Sequence, residues 1–190
     1  MRSALLLGLT LFAAAPAARA ALTYNESVSG DLSNLGSAPT QLVFSEGINR
    51  IIGTMGGGSD ADPDIFTFNI QPGQWLTSIY LGPMNPQERS FYAIAAGRTI
   101  NMTDATTHLG SYLTYDIGEL IDDLATGGTG FEIPLGAGTY TAWFQEVSTR
   151  VDYEFAYTVI PEPGTSAALC AAAALAGTVI LRRKSARKAV

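Results

Sequence analysis

From Asp152 to Val159 the side chains alternate: Tyr153, Phe155, Tyr157 and Val159 take one side, and Asp152, Glu154 and Thr158 take the other, with only the small Ala156 among them. A period of two belongs to a half-buried β-strand, because successive side chains leave a pleated backbone on opposite faces. The same pattern sets Phe66, Phe68 and Ile70 against Thr67 and Asn69, and Tyr140, Ala142 and Phe144 against Thr141, Trp143 and Gln145. Three such segments need a sheet with one covered face, which excludes an all-helical fold. Further strands are expected over 41–45, 49–55, 75–81, 91–96 and 112–115, each near Gly, Pro or Asn. Residues 21–160 hold 17 glycines and 17 aromatic residues, a mixture that suits short strands and tight turns. The pattern predicts an all-β, two-sheet β-sandwich domain over 21–160. One helix interrupts it: Ile117, Leu120, Ile121 and Leu124 fall at i, i+3, i+4 and i+7, with Asp116 as cap, Glu119 completing a capping box, and Asp122 and Asp123 facing solvent.

Charge narrows the function. Seven of the eleven basic residues lie at the termini, and residues 21–160 keep four arginines, no lysine and sixteen acidic residues, a net charge of −12. Such a surface repels phosphate backbones, so no nucleic-acid partner is expected. Cys170 is the single cysteine and lies outside this stretch, so the domain folds without a disulfide. At about 140 residues a domain can bury roughly two-thirds of its surface without staples.

The two ends carry an address. Arg2, the apolar run from Ala4 to Ala15 and the Ala18-Arg19-Ala20 pattern read as a signal peptide over 1–20, cleaved after Ala20. Signal peptidase and the secretion translocon are the implied partners. At the other end Pro161-Glu162-Pro163 precedes an uncharged apolar run over 167–181 and then Arg182, Arg183 and Lys184. A helix of that length rises roughly 22 Å against a hydrocarbon core of about 30 Å, and snorkelling arginines with Thr165 and Ser166 make up the difference. The basic end stays cytoplasmic and the domain lies outside.

This order of triplet, apolar helix and arginine-rich end resembles the PEP-CTERM sorting signal of exported bacterial proteins, carried here by Pro161, Glu162, Pro163, Arg182 and Arg183 over 161–190. The resemblance implies processing near the triplet by an exosortase-type membrane cysteine protease. It also implies passage from the inner membrane to the cell surface or the exopolysaccharide matrix. The domain in turn resembles the bacterial pre-peptidase C-terminal domain, a jelly-roll-like β-sandwich. The matching pieces are Asp62 and Asp64 before Phe66-Thr67-Phe68, the Gln71-Pro72-Gly73 turn, the approach Leu135-Gly136-Ala137-Gly138-Thr139-Tyr140, and Asp152-Tyr153-Glu154-Phe155.

Asp60, Asp62 and Asp64 stand on alternate residues after three glycines, and hard oxygen ligands in a flexible loop are what Ca²⁺ takes. Asp31 and Asp152 are more distant candidate ligands. The competing account is turn chemistry, with Asp62 and Asp64 bonding their own backbone before the strand. An EF-hand is excluded, since its sixth and twelfth positions would be Ile65 and Gln71. Trp143 alternates with the inward set Tyr140, Ala142 and Phe144, so it is the candidate for stacking against polysaccharide. His108 is the only histidine, is expected on a surface loop, and has no nucleophile motif around it. The expected function is therefore a non-enzymatic exported protein of the surface or matrix. The alternatives are a calcium-dependent carbohydrate-binding adhesive module and a carboxylate-dependent glycosidase.

Overall fold

The structure is a computed structural model describing residues 21–57, 62–114, 117–146 and 149–164. The signal segment with Ala18 and Ala20, Asp60, Asp116, the apolar run 167–181, Arg182 and Arg183 lie outside the described residues. Among the described residues no helix is long and apolar enough to cross a membrane.

In chain order the elements are β1 (Thr23–Asn25), α1 (Glu26–Ser29), β2 (Thr40–Gln41), β3 (Gly47–Met55), β4 (Asp64–Ile70), β5 (Gln74–Leu81), β6 (Ser90–Ala96), β7 (Gly110–Thr114), β8 (Gly118–Glu119), α2 (Ile121–Thr126), β9 (Gly138–Gln145) and β10 (Val151–Pro161). They form two five-stranded sheets, ordered β1-β3-β10-β5-β8 and β2-β4-β9-β6-β7. The expected two-sheet sandwich is what forms. Strands β1 and β2 pair in parallel with β3 and β4, while the longer strands pair antiparallel. The two strands with the cleanest alternation, β9 and β10, take the centre of their sheets, where each has neighbours on both sides.

Their inward faces meet in an aromatic core. Phe144 of β9 stacks on Phe155 of β10 at 4.1 Å between ring centroids, bridging the sheets. Phe44 stacks on Phe68 at 4.6 Å, and Tyr157 lies edge-on to Phe66. Each such ring contributes about 1.5–3 kcal/mol by leaving water.

Four expectations change. The helix begins at Ile121 rather than Ile117, because Gly118 adopts φ 138° and the Gly118–Glu119 pair joins the sheet beside Tyr80 and Leu81. Leu120, Ile121 and Leu124 are buried as the spacing predicts, but Ile117 is exposed. Glu119 caps without the expected box: its carboxylate accepts from the backbone N–H groups of Ile79 (2.8 Å) and Ile121 (3.2 Å). The strand expected over 41–45 forms only as Thr40–Gln41, although Leu42 N–H still donates to the Thr67 carbonyl at 2.9 Å and Leu42 and Phe44 are buried in the core with Val43 exposed.

The third change removes the sugar platform. Trp143 does point away from the main core, but the chain after β6 folds back over that face. Ile100 and Met102 pack there with Ile65, Ala93, Ala95 and Trp143. Trp143 is 7% exposed, with its ring against Phe91 at 4.7 Å and His108 at 5.9 Å, so it has no free face for a sugar ring. His108 is likewise interior rather than superficial, at 1% exposure, with Nε2 against the Asn101 carbonyl at 2.8 Å.

Candidate metal centre

Alternation along β4 puts Asp64 on the same face as Phe66, Phe68 and Ile70, so the strand aims a carboxylate into the gap between the sheets. Asp64 is 0% exposed, and neither carboxylate oxygen has a hydrogen-bond partner. Tyr153 enters the same gap from β10. Its hydroxyl oxygen is also buried and unpartnered. A buried polar group left this way costs about 1–3 kcal/mol, and an ionised one more.

Two further carboxylates close on Asp64. Oxygens of Glu26, Asp31 and Asp64 all lie within 4.8 Å of one another. Glu26 is held in place by the backbone: Oε2 accepts from Thr54 N–H at 2.8 Å and Oε1 from Leu32 N–H at 3.1 Å. The approach needs Gly53, where a Cβ would stand 2.3 Å from Glu26 Oε2 and 2.8 Å from the Tyr153 hydroxyl. Asn25 caps the short turn that presents Glu26, its side chain accepting from Ser27 N–H at 3.0 Å. Glu26, Asp31 and Tyr153, but not the buried Asp64, line a cleft of about 640 Å³ together with Asp62, Arg150 and Asp152.

Burial first, and then the Glu26 charge, push the Asp64 carboxyl up to about 9. A favourable pull from the Tyr153 hydroxyl offsets part of that rise, although the two approach without reaching hydrogen-bond geometry. Glu26 is raised by burial and held back by its bonds from Thr54 and Leu32. Asp62 is raised by burial and by Asp31, with Arg150 opposing. At neutral pH the cluster therefore holds a proton on Asp64 that a cation could displace.

The span of the cluster fits a divalent ion. Oxygens bound to one Ca²⁺ at about 2.4 Å can be at most about 4.8 Å apart, and the three carboxylate oxygens lie within that distance of one another. Of the residues expected as ligands, Asp64 lies at the centre, Asp62 at the rim, Asp31 in the oxygen cluster and Asp152 along the cleft. The alternate spacing of Asp62 and Asp64 brings them near the site but not onto equal footing, since Asp64 is in the strand and Asp62 precedes it. Glu26 is the residue the sequence reading missed. Its traces in the sequence are faint: a capping Asn before it, and a glycine in the interior of a strand at Gly53.

Comparison with protein-family models, with curated proteins and with solved structures finds no match to this chain.

Proposed function

We propose that this chain is a non-enzymatic exported protein of the bacterial surface or exopolysaccharide matrix, whose jelly-roll-like body takes up one calcium ion between Glu26, Asp31 and Asp64. The observation that carries the calcium reading is Asp64, whose two wholly buried oxygens have no hydrogen-bond partner and face other carboxylates. A charged group is tolerated there once a dication replaces its proton. The export reading rests on the residues at both ends: Ala18 and Ala20 for signal peptidase, and Pro161, Glu162, Pro163, Arg182 and Arg183 for an exosortase-type enzyme. The final strand supports it by running to Pro161, so the body leads into the triplet without a linker.

The carboxylate pair suits an ion better than glycoside hydrolysis. A general acid must touch the glycosidic oxygen, and Asp64 is fully buried. Polysaccharide remains the expected neighbour of such a protein, with calcium as the bridge in the adhesive form of this reading.

Thermal unfolding of the chain from Ala21 onward, with calcium and with chelator, tests the metal site. Tm should rise with calcium, fall back with chelator, and respond less to magnesium, which demands a tighter octahedral shell. An unchanged Tm at pH 8 would sink the calcium reading. Release of new reducing ends from matrix polysaccharide would sink the non-enzymatic one.

A further inference from the structure

Strand β10 ends on Pro161, the first residue of the Pro161-Glu162-Pro163 triplet, and leaves Glu162 against the body. Pro161 lies in register with Gln74 of β5. The next residue is held twice: Glu162 N–H donates to the Gly73 carbonyl at 2.8 Å, and Trp75 Nε1–H donates to Glu162 Oε1 at 2.9 Å. An indole N–H has one hydrogen to give and accepts none, so it selects an acceptor such as this carboxylate, and an ionised acceptor strengthens the bond. Proline at this position removes no ladder bond to β3, whose pairing with β10 ends at Val159. Pro163 and Gly164 follow as exposed residues. The triplet is thus divided, with Pro161 and Glu162 clasped by the sheet and Pro163 beyond it.

We propose that Gly73 and Trp75 form a receptor for Glu162 on the folded body, and that this clasp confines processing to peptide bonds after Pro163, so the mature body retains Glu162. The proposal rests on the sorting reading given above. A peptidase acts on a locally opened chain, at a rate set by how often the segment opens. Around Pro161 and Glu162 opening must break a charge-assisted bond and the end of a ladder, whereas after Pro163 neither has to break. The step is hydrolysis by a membrane peptidase: the C–N bond breaks, and water gives a hydroxyl to the new carboxyl and a hydrogen to the new amine. A chain whose β5 and β10 have not yet paired presents Glu162 unclasped and exposes the earlier bond as well.

A proline-specific endoprotease tests the clasp directly, because it can cut after Pro161 or after Pro163. The chain from Ala21 onward, kept in detergent, is digested and the products are read by intact mass. The wild type should end at Pro163 first, with the Pro161 end appearing at least tenfold more slowly. Trp75→Phe keeps a ring and removes the donor, and Glu162→Ala keeps Trp75 and removes the acceptor. Each should close most of that gap while Tm shows the body still folded. Equal cutting at both bonds in the wild type, or a ratio that neither variant moves, would overturn the clasp. In exosortase-bearing bacteria the mature C-terminus should include Glu162, and a product lacking it overturns the boundary. An uncut chain in those cells, with the clasp ratio intact in vitro, overturns the boundary through failure of the sorting reading instead.

Discussion

Asn49 and Asp64 are both polar, both on strands and both 0% exposed, yet the fold treats them in opposite ways. The Asn49 side-chain carbonyl accepts from Leu22 and Ser45 N–H groups at 3.1 Å each, and its amide donates to the Ser45 carbonyl at 2.9 Å. Longer contacts of 3.4 Å reach the Gly47 and Tyr157 carbonyls. Asp64 has no such partner on either oxygen. Burial therefore does not by itself mark a site. A satisfied buried polar group ties chain segments together, and an unsatisfied one beside other carboxylates marks a candidate ligand.

The largest effect is expected at the satisfied position. Asn49→Ala strands two backbone donors at about 1–3 kcal/mol each, so urea unfolding should show a loss of about 3 kcal/mol or more. Calcium should leave that loss in place, because Asn49 is no ligand. At Asp64 the expected result is a lost response: calcium at ~100 times Kd stabilises by about 2.7 kcal/mol, and Asp64→Asn should abolish that gain. A variant that still responds fully to calcium would erase the contrast between the two residues.

pH sharpens it further. The Asp64 carboxyl is raised in the folded protein from 3.8 to about 9. The folded state therefore holds a proton that the unfolded state releases above about pH 4. Without metal, stability should fall as pH rises through that window and level off above about pH 9. Calcium affinity should rise over the same range, because the ion displaces that proton. Titration calorimetry in buffers of different ionisation enthalpy would read the released proton, and Asp64→Asn should remove both slopes. The smallest effect is expected on the far face of the β4 sheet: Trp143→Phe keeps the packing against Phe91 and removes a buried, unpartnered N–H. Stability should change by no more than about 1 kcal/mol, and retention on polysaccharide should not change.

The strands were legible where one face is core and the other is not. β10 alternates buried with half-buried or exposed positions along most of its length, whereas β9, which also lies where the pattern put it, is buried on both faces from Tyr140 to Phe144. Trp143 was legible only in direction. Its strand says that it leaves the main core, but whether that face meets solvent depends on Ile100 and Met102, which return from a separate segment. The helix misread has a local cause, because helical spacing at Ile117 counts apolar residues without weighing the positive φ of Gly118. At the site, Asp62 and Asp64 could be singled out as carboxylates before a strand, and Asp31 could be named without being placed. Glu26 could not, since it lies 38 positions before Asp64 and nothing local to either residue links them.

What the sequence by itself determined about this protein is what depends on near neighbours along the chain: strand periodicity, turn chemistry, the charge of the body, and the apolar runs at its ends. Only the tertiary structure decided what each face meets. It turned Asp64 inward, brought Glu26 and Asp31 to it, left Tyr153 without a partner, covered Trp143 and clasped Glu162 to Trp75. The physical reason is range. Backbone preference acts over a few residues, whereas burial and electrostatics depend on distance through space, which sequence separation does not record.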